Sequence, residues 1–125
     1  MRGICCASLT ITAVVLGPSA WSHHSFATQY DANAPITLVG TVTKIEWLNP
    51  HARFYVEVEA PDGSVESWNL ELASPNVLRR NGWSRNSVEV GDHVTVEGSR
   101  ARDGSLMANA RTVTLADGTS VFARE

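Results

Sequence analysis

Ser74-Pro75-Asn76-Val77-Leu78-Arg79-Arg80-Asn81-Gly82 is the stretch on which the fold turns. Serine before proline is a side-chain cap followed by a residue suited to a first helical turn, and glycine after Asn81 is a stop. It predicts a helix of about two turns, too short to build a helical core. On its amino-terminal side, Phe54, Val56 and Val58 alternate with Tyr55, Glu57 and Glu59, as in a half-buried antiparallel strand. Pro61-Asp62-Gly63-Ser64 then turns the chain, and Val65 to Leu72 returns with Trp68, Leu70 and Leu72 on one face. Upstream, Ile36 to Trp47 is rich in Val, Ile and Thr and predicts a long strand with a bulge at Gly40, ended by Asn49-Pro50. On the carboxy-terminal side, Ser84 to Ser87 predicts a turn. His93 to Gly98 is another alternating strand, with Val94 and Val96 inward. Arg102-Asp103-Gly104-Ser105 is a hairpin turn, Met107 to Leu115 a fifth strand, and Asp117-Gly118 returns a short one, Ser120 to Ala123.

Three strands, a short helix, then two strands and a small edge is the element order of an OB-type barrel, a partly open five-stranded Greek-key barrel. The expected fold is therefore all-β with one short helix. The alternative is a small β-sandwich, but a sandwich has no need of a helix between its third and fourth strands. A barrel does, as a plug for its open end.

The first 22 residues read as a secretory signal: Arg2, an apolar run from Ile4 to Leu16, and small residues at Pro18-Ser19-Ala20-Trp21-Ser22. Cleavage after Ala20 or after Ser22 satisfies the small-residue rule, and the second is favoured. The apolar run is short of the roughly 20 residues that span a bilayer, so no membrane span and a soluble, exported, periplasmic domain are expected. Cys5 and Cys6 both fall inside the signal, which leaves the exported domain without disulfides. Cutting after Ser22 leaves 103 of 125 residues, enough for one domain over 23–125. Loss of Arg2 takes the formal charge from −3 to −4, a balance that disfavours nucleic acid as a partner.

Four histidines remain in that domain: His23, His24, His51 and His93. With cleavage after Ser22, His23 offers its α-amine and imidazole as a chelate, and His24 or His51 completes a nitrogen-rich tetragonal set that suits Cu(II). The α-amine, with an ordinary pKa of roughly 7.7–8.0, is freed for coordination near neutral pH. With cleavage after Ala20, His23 stands third from a free amine, also a Cu(II) chelate. The opposing reading makes His51 a loop residue bonded to a backbone carbonyl and the terminal pair unstructured. His93, out of phase with Val94 and Val96, is expected to face solvent.

Glu57 and Glu59 read as a solvated face rather than an acid/base pair, and no Gly-x-Ser-x-Gly elbow is present. Arg79-Arg80 is accounted for by the helix dipole. Trp47, Trp68, Trp83 and Tyr55 offer an aromatic ligand face of the kind OB barrels use, with Trp68 alternatively in the core. Trp47, beside the Asn49-Pro50-His51 turn, and Asn49 are the expected ligand rim.

His23-His24-Ser25-Phe26-Ala27, Tyr30-Asp31, Thr41 to Trp47, Asn49-Pro50-His51, Trp68, Glu71, Ser74-Pro75-Asn76, Arg80, Gly82-Trp83, Gly91-Asp92 and Asn109-Ala110-Arg111 together resemble a family of small exported bacterial proteins classed as a domain of unknown function. The resemblance implies a periplasmic barrel and no established activity. Together the readings point to a non-enzymatic exported binding module with Cu(II) at His23, His24 and His51. A metal-free ligand or protein-interaction barrel, in which His24, Phe26 and Tyr30 pin the amino-terminal arm, is the alternative. A copper-dependent oxidative enzyme is a more distant one, opposed by the small size of the domain.

Overall fold

The computed structural model describes residues 26–123. The segment 1–22 expected to be a signal, with Cys5 and Cys6, and both His23 and His24 lie outside the described residues. A four-residue turn of helix, α1 (Phe26–Gln29), leads into β1 (Tyr30–Glu46), followed by β2 (Arg53–Glu59), β3 (Val65–Glu71), the helix α2 (Pro75–Arg80), β4 (His93–Ala101), β5 (Met107–Leu115) and β6 (Ser120–Phe122).

The strands pair in the order β3-β2-β1-β4-β5-β6, and β3 also pairs in parallel with β5. That pairing joins Asn69 to Met107, Leu70 to Ala108 and Glu71 to Asn109, and it bends the sheet into a five-stranded ring. The closure is that of an OB-type barrel and sets the sandwich aside. Inward residues follow the expected alternation: Phe54, Val56, Trp68, Leu70, Val94 and Val96 are buried in one core.

Two strand expectations are corrected. First, β1 begins at Tyr30, not Ile36, because its early residues find a partner in β4: Tyr30 stands opposite Ala101 and Pro35 opposite Ser99, with an irregularity between them. Second, the bulge lies at Thr43, which has no counterpart where Val42 faces Val56 and Lys44 faces Tyr55. Gly40 serves another purpose: a Cβ there would strike the Glu57 carbonyl oxygen on β2. Gly98 does the same against the Asn109 carbonyl of β5, beside a second register shift. Both glycines let a neighbouring backbone approach more closely than a side chain allows.

Helix α2 is built as its sequence implies. Ser74 Oγ accepts from the Val77 N–H at 3.4 Å, and Pro75 takes the first position. At the other end the Trp83 N–H bonds to the Leu78 carbonyl at 2.9 Å and the Gly82 N–H to that of Arg79 at 3.1 Å, a Schellman closure with Gly82 at φ +90°. The helix turns Leu78 into the core, and the buried Trp83 follows it. The Trp83 indole N–H donates to the Phe122 carbonyl at 2.9 Å, and the Ala73 N–H to that of Ala123 at 2.7 Å. β6 thus pairs within the chain and seals the seam beyond the three β3–β5 pairs.

Gly98→Ala is expected to lower unfolding stability by about 1–3 kcal/mol, the usual cost of forcing extra volume into a packed site. Leu78→Ala is expected to cost about 2–5 kcal/mol through the lost burial and the cavity left behind. Denaturant titration followed by tryptophan fluorescence checks both.

Candidate functional site

β1 runs out of its sheet into Trp47 and Leu48, and the chain reverses through a cis Asn49-Pro50 peptide before His51. The next residue anchors the loop: Ala52 donates to the Ala73 carbonyl at 3.1 Å and accepts from the Leu72 N–H at 2.8 Å. This places the exposed imidazole of His51 over the end of β3, with Nδ1 3.3 Å from the Leu72 carbonyl oxygen. A carbonyl only accepts, so Nδ1 is the donor, and in the neutral ring that tautomer leaves the lone pair on Nε2. This is the carbonyl contact of a structural loop histidine, and equally the arrangement that orients an imidazole for a metal. Asn49 is exposed on the same loop.

Trp47 is half-buried beside this loop and packs against the core. The Arg79 guanidinium of α2 lies over its ring, 5.9 Å from the centroid. Its Nε1 is buried and has no acceptor. The other aromatics do not join it in a ligand face. Trp68 and Trp83 are buried in the core, their indole N–H groups bonded to Glu66 and Phe122. Tyr55 is engaged on the outside of β2, its hydroxyl on Glu46 Oε2 at 3.3 Å and Lys44 Nζ 5.0 Å from its ring centroid. The sequence periodicity made all four aromatics available, and packing leaves Trp47 alone at the rim.

A second polar cluster escaped the sequence reading. Glu71, only 7 % exposed, accepts from the Tyr30 hydroxyl at 3.1 Å and from Arg53 Nη2 at 2.6 Å. Arg53 Nη1 reaches Asn69 Oδ1 at 3.2 Å. Tyr30 is 1 % exposed, and burial first, then the negative charge of Glu71, holds its phenol far above the ordinary range, so it remains a donor. Asn109, opposite Glu71 across the closure, has a buried Oδ1 without a donor. The signal was the placement of Arg53 and Glu71 at outward positions of paired strands, which alone reads as a surface ion pair. What makes it a buried one is the amino-terminal arm lying across it.

That arm is held at several points. Phe26 and Tyr30 pack with ring centroids 5.8 Å apart. Arg102 Nε donates to the Ala27 carbonyl at 2.7 Å, the Arg102 backbone N–H to that of Gln29 at 3.0 Å, and the guanidinium lies 3.6 Å from Asp31 Oδ1.

Of the candidate ligands, His51 alone falls among the described residues, since His23 and His24 precede them. Among the described residues no group of three or more His, Cys, Asp or Glu side chains is arranged to hold a metal. His93 is exposed as expected, its Nδ1 3.0 Å from Thr41 Oγ1. Glu57 and Glu59 are exposed too. Among the described residues no helix is long and apolar enough to cross a membrane.

Two crystal structures of the mitochondrial single-stranded DNA binding protein Rim1 from S. cerevisiae share the fold. One superposes with a TM-score of 0.52 at 14% identity, covering 66% of this chain and 93% of that one. The other gives 0.50 at 16% identity, covering 66% and 92%. At such identities the likeness shows the OB-type fold alone. No curated protein matches the chain. The model of a family of unknown function, DUF6152, matches residues 12–110, so the chain belongs to that family.

Proposed function

We propose that the chain is an exported, non-enzymatic binding module that holds Cu(II) through His23, His24 and His51. The observation that carries this reading is the contact of His51 Nδ1 with the Leu72 carbonyl, which leaves Nε2 of an exposed imidazole as an oriented donor on the Trp47–Asn49 rim. A terminal amine and imidazoles form the nitrogen set that Cu(II) favours in tetragonal geometry. The arm contacts bear on reach. The Tyr30 hydroxyl bonds to Glu71, the neighbour of the residue that holds His51, so the arm is tied down beside that end of β3. Only two residues, His24 and Ser25, separate His23 from Phe26, so the two ends lie at most about 10 Å apart. The leader-like layout of residues 1–22 supplies the reason for export and for a terminus at His23.

One observation favours a second reading. The Tyr30–Glu71–Arg53 cluster fastens the arm without any metal, as a metal-free ligand or interaction barrel requires. Nucleic acid, which the structurally similar yeast protein binds according to its name, is a poorer partner here. The chain is net negative, and Trp68 and Trp83 are spent in the core.

The test is the intact mass of the protein recovered from the periplasm, then Cu(II) titration of that form, of a form with one residue added before His23, and of His51→Ala. A mass fitting cleavage after Ser22 is expected, with at least about tenfold weaker Cu(II) binding in both altered forms, the scale of effect seen when even outer-shell partners of metal ligands are lost. Binding indifferent to both changes removes the copper reading. If replacing His23 and His51 together lowers the melting temperature of metal-free protein, the interaction-barrel reading gains instead. Tyr30→Phe is expected to cost about 1–3 kcal/mol by leaving a buried carboxylate short of a donor. Amide exchange measured over residues 26–31 should quicken in that variant more than in β2 or β4.

A further inference from the structure

The amino-terminal arm and the rim imidazole are fastened to consecutive residues. Glu71, the last residue of β3, accepts from the Tyr30 hydroxyl at 3.1 Å, and the Leu72 carbonyl that follows it is the partner of His51 Nδ1 at 3.3 Å. We infer, resting on the copper reading, that Tyr30 and Arg102 are positioning residues of the copper site. They clamp residues 26–31 against the barrel and so hold the terminal chelate within reach of His51. Neither is a ligand, and both act through the chain they hold.

The clamp acts from two sides. On one, the buried Tyr30 packs its ring 5.8 Å from that of Phe26, and its hydroxyl ends on a carboxylate that Arg53 Nη2 also holds at 2.6 Å. On the other, Arg102 follows the end of β4 and meets the arm three times. Its backbone N–H bonds to the Gln29 carbonyl at 3.0 Å, Nε to that of Ala27 at 2.7 Å, and Nη2 lies 3.6 Å from Asp31 Oδ1. An exposed guanidinium facing one carboxylate contributes little, but one that also holds a backbone carbonyl four residues away fixes the path of the chain. Beyond the clamp the strand is irregular: Tyr30 faces Ala101, and pairing with β4 resumes only at Pro35, opposite Ser99. Held, His23 is three Cα steps from Phe26; released, it is twelve steps from Pro35. The effective concentration of one group at another falls roughly as the −3/2 power of the chain joining them, so an about fourfold longer tether lowers it about eightfold.

The experiment titrates Cu(II) into the protein recovered from the periplasm and into two variants. Tyr30→Phe with Arg102→Ala opens the clamp. The second variant keeps the clamp and lengthens the chain instead, with about nine Gly and Ser residues inserted between Ser25 and Phe26, ahead of every barrel strand. Each is expected to bind Cu(II) about eightfold more weakly than the parent, and in each His51→Ala costs about eightfold less than it does in the parent. By reciprocity, Cu(II) slows amide exchange over residues 27–31 in the parent and not in His51→Ala. A clamp that serves the fold alone leaves the second variant's binding unchanged. If His51→Ala weakens binding but either variant binds as tightly as the parent, the inference is overturned and the copper reading stands. If parent binding is indifferent to His51 and to a residue added before His23, both fall.

Discussion

The parallel contact between β3 and β5 spans three residue pairs, yet the rest of the molecule is arranged around it. Without it the six strands form an open, twisted sheet whose apolar face nothing covers. With it, Leu70 and Ala108 face the interior of a ring and the core has walls on every side. A domain of this size buries a modest fraction of its surface, so a closed wall contributes more than an extra hydrogen-bonded pair would suggest. The contact also brings Glu71 and Asn109 together on the outside, where the amino-terminal arm covers Glu71.

The arm and the rim are linked through the same few residues of β3. Glu71 receives Tyr30 and Arg53, and the next carbonyl along, that of Leu72, receives His51. A buried carboxylate held by a guanidinium and a phenol contributes little net stability compared with a well-packed apolar group. It does specify which residues meet, because each donor lost leaves an uncompensated charge. Here that specificity fixes where the arm leaves the barrel.

Much of this was legible in the chain. β2, β3 and β4 announce themselves by alternation, and α2 by Ser74, Pro75 and Gly82, because these signals are local. Gly40 was misread because a glycine within a strand is equally consistent with a bulge or with a close backbone neighbour. The neighbour, Glu57, is seventeen residues away in sequence and adjacent only once β1 and β2 are paired. The early start of β1 was hidden for the same reason, since nothing in Tyr30 to Pro35 says that Ala101 and Ser99 will face it. At the site, the position of Trp47 and His51 beside a proline turn was readable. That Trp83 is spent on Phe122, or that Glu71 is covered, depends on which segments cross, and alternation carries no such information.

The seam formed by β6 ties events in time as well as in space. Ala123 is fully buried, receives the Ala73 N–H and donates its own to Arg111, while Phe122 offers its carbonyl to Trp83. The Ala73 N–H and the Trp83 indole, on either side of α2, therefore wait for residues 122 and 123 before they find partners. A chain emerging in order, from a ribosome or through a narrow pore, can assemble its hairpins as they appear but cannot finish the barrel until residue 123 arrives. Completion of the fold is thus a report that the whole domain has been delivered.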